Sequence, residues 1–147
     1  MDRPLDLTEE SRSAAALGRE FFAAIDARDP RRLRATLANH ATFRALPHRD
    51  AIRPADEVVA YFGTVVSSYP TARWEVTDVI AEPERACVMF TLREFSPQLG
   101  RELISEQVAI VRASGMQRRD GRCLRHVHAV PVLSTWVAAG QKPVKAA

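Results

Sequence analysis

The chain has 147 residues, 46% of them apolar and 27% charged, with a formal net charge of +3. That length gives one domain with a core that needs neither disulfides nor metal. The basic residues are scattered rather than interleaved with aromatics, which argues against nucleic acid, and no apolar run is long enough to span a bilayer.

In chain order, residues 1–10 are polar and read as a flexible arm. Ala14, Leu17, Phe21, Phe22 and Ile25 recur at helical spacing. They predict a helix from Ser11 to Arg28, capped by Thr8 or Ser11. Asp29-Pro30 ends it and opens a short second helix reaching Leu37, because proline suits a first turn and not an interior one. Ala41 to Leu46 reads as a strand. Pro54 opens a third helix to Ser68, with Asp56 and Glu57 at its positive end and Val58, Val59, Phe62, Val65 and Val66 as its buried stripe. Tyr69-Pro70 stops it.

From Trp74 the pattern is β. Runs at 74–81, 85–95, 102–113 and 122–133 are separated by Glu82-Pro83, Ser96-Pro97, Gly100 and Ser114-Gly115, and predict an antiparallel meander. A helical turn over 134–139 follows, so that 11–139 forms one domain and 140–147 a polar tail. Cys87 and Cys123 stand in no ligand spacing and read as free thiols packed in strands. Met1-Asp2-Arg3-Pro4 begins no apolar leader, and a cytoplasmic location is expected.

Helices followed by long strands make an α+β plan. The expected form is a cone: a curved antiparallel or mixed sheet wrapped around N-terminal helices, a cystatin-like α+β barrel. Its open end would take a small hydrophobic molecule. Strands with apolar residues on both faces, such as Val88 and Phe90 against Cys87 and Met89, need cover on both sides. A homodimer through the convex face is therefore expected.

The candidate chemistry begins at Asp120-Gly121, a hairpin signal because glycine reaches positive φ freely. In the run that follows, His126 and His128 share one strand face. Imidazoles titrate near neutral pH and suit general acid/base work. The alternative places both on the dimer-facing side. Glu106 shares a face with Ile104, Val108 and Ile110. A buried carboxylate there would need a partner. Facing His126 or His128, it would orient the imidazole and raise its pKa; otherwise it is a surface residue. Glu102, nearer the turn, is a weaker version of the same idea. Arg93 and Glu94 point to opposite faces, and whichever faces inward could hold a polar substrate group; as rim residues neither would. Trp74 and Tyr61 could line the cavity or simply pack. His40 falls in an exposed turn, and His48 in a loop that could border the pocket mouth. His126, His128 and Glu106 could in principle supply three ligands, but nothing in the spacing demands a metal.

Several phrases carry a family resemblance. Phe22-Ala23-Ala24-Ile25-Asp26-Ala27-Arg28-Asp29, Ala38-Asn39-His40-Ala41-Thr42-Phe43, Tyr69-Pro70-Thr71-Ala72-Arg73-Trp74-Glu75-Val76 and Asp120-Gly121-Arg122-Cys123 stand in the order found in the SnoaL-like group of the nuclear transport factor 2-like superfamily. The chain resembles that group from about residue 13 to 135. The resemblance implies a cone-shaped barrel, often dimeric, and cofactor-free chemistry of the kind seen in polyketide cyclases and ketosteroid isomerase. Fold alone does not fix the reaction. The isomerase tyrosine falls at Phe21, kept here as a pocket-lining candidate. Its general-base Asp falls near Ala45, and its oxyanion-hole Asp near Val108 or Ala109. All are apolar, so that mechanism is not expected. Nor is the Asp–Arg–Asp set of the epoxide hydrolases reproduced. The group's Glu-His-Trp and Asp on the last strand become Arg125-His126-Val127 and His128. The expected function is a cofactor-independent cyclase, isomerase or dehydratase acting by proton transfer on a hydrophobic, polyketide-like metabolite. A non-catalytic ligand-binding or dimerisation module of the same fold is the alternative.

Overall fold

A computed structural model describes residues 13–46, 50–117 and 123–138. The arm, the tail and the hairpin tip at Asp120-Gly121 lie outside the described residues.

Helix α1 spans Ala14–Asp26, and the Ser13 hydroxyl caps it by accepting from the Ala16 N–H at 3.3 Å. Helix α2 spans Pro30–Thr36, with Asp29 as its cap accepting from the Arg31 and Arg32 N–H groups at 3.1 Å each. Helix α3 spans Ala55–Ser68, with Asp56 and Glu57 in its first turn. Five strands follow or intervene: β1 (Leu37–Leu46), β2 (Arg73–Ala81), β3 (Arg85–Ser96), β4 (Arg101–Gln117) and β5 (Cys123–Ala138). They form one sheet in the order β1-β5-β4-β3-β2. Strands β2 to β5 are the expected antiparallel meander, and β1 joins the far edge parallel to β5.

Three strand boundaries differ from expectation, and α1 starts at Ala14 under a Ser13 cap rather than at Ser11 under Thr8 or Ser11. Strand β1 begins directly after α2, at Leu37, which already pairs with Val127. Strand β4 runs through Ser114-Gly115 instead of turning there, because both residues have partners on β5, His126 and Arg125. Residues 134–138 are strand rather than helical turn; Trp136 and Ala138 pair with Ser105 and Leu103. At each of these strand boundaries an available neighbouring strand decides the local structure, and short-range signals yield to pairing.

The sheet's inner face is set by burial. On β3 it carries Ala86, Val88 and Phe90, all nearly or fully enclosed, then Leu92 and Glu94. On β4 it carries Ser105, Gln107, Ala109, Val111 and Ala113, and on β5 Val127, Val130 and Val132. Helix α1 lies across this face. A Cβ on Gly18 would stand 2.7 Å from a Val88 methyl, so only glycine allows this approach. The Phe22 ring sits 4.2 Å from that of Phe90. Edge-to-face contacts of Phe62 with Phe21 (5.6 Å) and Phe43 (4.8 Å) tie α3 to α1 and β1.

The end of α1 is fastened to β2 by charge. Asp26 accepts two hydrogen bonds from the Arg73 guanidinium, each 2.8 Å, and one from the Trp74 N–H at 3.0 Å. The Arg73 bonds dominate in holding its carboxyl below the usual range. Arg28, at φ 55°, turns the chain back and donates to the carbonyls of Pro70 (3.2 Å) and Ala72 (2.6 Å). Its guanidinium also lies over the Trp74 ring, 5.7 Å from the centroid. No helix among the described residues is long and apolar enough to cross a membrane.

Candidate functional site

The inner face changes character along its length. The β3–β4 register pairs Ala86 with Val111, Val88 with Ala109, Phe90 with Gln107, Leu92 with Ser105 and Glu94 with Leu103. Apolar pairs therefore give way to pairs with one polar member. Ser105 is fully enclosed, and its hydroxyl accepts from the Gln107 side-chain amide at 3.1 Å. Glu94 lies diagonally from Ser105, which puts their Cα atoms roughly 7–8 Å apart.

Glu94 is half-buried on this face and makes no hydrogen bond or ion pair among the described residues. Burial alone pushes its carboxyl above the usual range. Desolvation penalises the charged form, and no cation here offsets it. A carboxyl of this kind keeps its proton further toward neutral pH. It can then donate to a carbonyl oxygen, or in its ionised form take a proton from the adjacent carbon. Gln107 has a second N–H available to a substrate oxygen. The set is a carboxyl, a hydroxyl and a carboxamide beside hydrocarbon. Among the described residues no three His, Cys, Asp or Glu side chains come together as a metal site. A largely apolar groove of about 220 Å³ also opens between α1–α2 and α3, lined by Ile25, Leu33, Val59 and Phe62.

Of the residues proposed from the sequence, Glu94 is the one that faces inward with a group able to do chemistry. Arg93 points outward and pairs with Glu102 at 3.1 Å, so it holds nothing in the cone. Glu106 is exposed on the outer face, in register with Thr91 and Thr135. His126 is opposite Ser114, which at about 3.3 Å per residue lies roughly 25 Å along β4 from Glu106. The expected Glu106–imidazole pair therefore does not form. Val127 is fully buried on the inner face, so alternation puts half-buried His126 on the convex side. His128 also lies outside, against Thr42 and His40 of β1. Its pKa is lowered, not raised: burial contributes most, then the positive charges of His40 and Arg112.

The aromatic candidates are structural. Phe21 is fully enclosed, packed edge-on against Phe22 and Phe62. Trp74 is 7% exposed and belongs to the Asp26–Arg28 junction. Tyr61 is half-buried beside Phe43 and Phe62. His40 is exposed, as expected, but lies in β1 rather than in a turn; His48 lies outside the described residues. Cys87 is a free, half-buried thiol.

Nothing in the sequence marks Ser105 and Gln107. Around them β4 is apolar on both parities, with Val108 and Ile110 alternating with Ala109 and Val111. A period of two defines the two sets without saying which is inside.

A family model, the SnoaL-like domain, matches residues 18–126. No curated protein matches the sequence. Among solved structures, a candidate ketosteroid isomerase from Kribbella flavida is 20% identical, with a TM-score of 0.62 over 93% of this chain and 86% of that one. A hypothetical protein with a ketosteroid isomerase-like fold from Catenulispora acidiphila, in complex with trimethylamine, is 8% identical, with a TM-score of 0.64 over 79% of this chain and 82% of that one. A protein of unknown function with a cystatin-like fold from Methylobium petroleophilum is 12% identical, with a TM-score of 0.61 over 91% of this chain and 80% of that one. At these identities the likeness is one of fold.

Proposed function

The chain belongs to the SnoaL-like domain family, and from that premise we propose that it is a cofactor-independent enzyme acting by proton transfer next to a carbonyl. Cyclisation, isomerisation and dehydration of a hydrophobic metabolite, as in secondary metabolism, are the reactions within its reach. One observation carries this reading: Glu94 is an unpartnered, half-buried carboxyl on the inner face of the sheet. Natural folds rarely leave a carboxyl there without a task. In this reading Glu94 is the acid/base, Gln107 steadies the substrate oxygen, and Ser105 fixes the Gln107 amide.

The test is protein-dependent exchange of α-hydrogens for deuterium in a panel of apolar ketones, followed by NMR. Glu94→Gln should lower the exchange rate by roughly two to four orders of magnitude, the usual span for a general acid/base, while the fold persists. Undiminished exchange in that variant would remove Glu94 from the mechanism. Saturable binding of the ketones with no exchange in the wild type would favour a ligand-binding module, a reading that fully apolar Phe21 and Ala45 also suit.

The assembly we propose is a homodimer through the convex face. Cys87, Met89, Val108 and Ile110 are half-buried there with no helix among the described residues over them, and Ile80 is 64% exposed. A second copy would supply the missing cover. Sedimentation should give twice the chain mass at micromolar concentration; a monomer there would reject the dimer.

A further inference from the structure

The outer surface of the β1–β5 seam holds a second feature, separate from the inner face. A depression of about 670 Å³ is lined by His40, Thr42, Arg53, Pro54, His128 and Ala129. The imidazole rings of His40 and His128 are nearly parallel, at 25°, with centroids 6.4 Å apart. Arg53 borders the same space, and Arg112 of β4, in register with Ala129, is close enough for its charge to act on His128. Neither Arg53 nor Arg112 is in an ion pair among the described residues.

Among the described residues no carboxylate lines the depression. Of the acidic residues flanking Arg53 in sequence, Asp56 is engaged by Arg34 at 3.0 Å, and Asp50 is not among the lining residues. Three cationic or protonatable groups, His40, Arg53 and His128, thus line the depression, with Arg112 nearby and no anion among the described lining residues. Such an arrangement costs free energy unless something negative occupies it.

We propose that this depression binds an oxyanion of the phosphate class, either free inorganic phosphate or the phosphate of a small metabolite. Arg53 supplies permanent charge and multiple donors, and Arg112, outside the lining, adds its positive field. His40 and His128 supply one donor each, and two when protonated. Thr42 Oγ1 now donates weakly to the His128 carbonyl at 3.4 Å, and can rotate its hydroxyl to the ligand. In the free protein, burial, His40 and Arg112 all work against a proton on His128. A bound dianion reverses the electrostatic part, so binding is coupled to proton uptake.

The experiment is an NMR titration of the histidine side chains at pH 6, with inorganic phosphate, glycerol 3-phosphate and chloride at matched ionic strength. Saturable shifts of His40 and His128 are expected with a phosphate species, half-complete at roughly 1 mM or below, and not with chloride. Stronger binding of glycerol 3-phosphate would identify the ligand as a phosphorylated metabolite; stronger binding of inorganic phosphate, as the free ion. Arg53→Gln, on an exposed segment outside the core, should weaken binding about tenfold. Sulfate, whose charge is constant over this range, should bind more tightly as pH falls from 7.5 to 5.5, and His128→Gln should flatten that trend. Shifts no larger than with chloride, or binding unchanged in Arg53→Gln, would overturn the proposal.

Discussion

At one end of the sheet's inner surface every position is hydrocarbon. Ala86, Val88, Ala109, Val111 and Ala113 are all at most 2% exposed there, and α1 is pressed so close that Gly18 has no room for a methyl group. At the other end the same two strands carry Glu94, Ser105 and Gln107. The first end gains stability from close packing and dispersion. The second gives some of that up by holding a desolvated carboxyl. One pair of strands is thus a scaffold over half its length and a candidate reaction surface over the rest, with Phe90 and Gln107 at the crossover.

Substitutions at the two ends should separate these roles. Phe22→Ala removes the ring that packs on Phe90 in the closed half and should cost about 3–5 kcal/mol. Denaturant unfolding would show a large drop in midpoint; a cost below about 1 kcal/mol would mean that the aromatic contact is not a core contact. Gly18→Ala comes next. Overpacking against Val88 and Val111 costs about 1–3 kcal/mol, offset by about 1 kcal/mol of helix propensity. A net loss of up to about 2 kcal/mol is expected, and a net gain would show that α1 can lift from the sheet without penalty.

At the polar end the sign should invert. The folded-state pKa of Glu94 lies above its ordinary 4.5. Its contribution to stability is therefore intact below that value and is lost as pH rises through the folded pKa. Glu94→Gln removes the titration, so the variant should equal the wild type at pH 4 and exceed it at pH 7. Denaturant unfolding at the two pH values measures that difference. Identical pH profiles for the two proteins would place Glu94 in open water.

How far the sequence discloses this arrangement depends on the kind of signal. Helix caps and breakers are local, so Asp29-Pro30 and Tyr69-Pro70 bound α1, α2 and α3 to within a few residues. The meander follows from strand lengths and turn residues. What is not local is pairing. Nothing near Ser114-Gly115 says that His126 and Arg125 will hold it in a strand, and nothing near residue 134 says that β4 will still be beside it. The candidate site is lost for a related reason. His126, His128 and Glu106 attract attention because of their chemistry, but the inner parity is fixed by what α1 touches, and that is visible only once Gly18 and Phe22 are seated on Val88 and Phe90. Glu94 was legible as one of an adjacent pair; choosing it over Arg93 needed the fold.

The parallel seam between β1 and β5 also sets the order in which the molecule can be completed. Leu37 pairs with Val127 and Leu46 with Leu133, so a strand made early must wait for the last one. During synthesis β2, β3 and β4 can pair with one another as they emerge, whereas β1, apart from its bridge to Ile52, has no strand partner until residues 127–133 leave the ribosome. Closing so long a loop is entropically costly and slow. The seam is thus the longest-range pairing in the sheet, and a chain cut before Val127 would leave β1 without its ladder, an edge open to other chains.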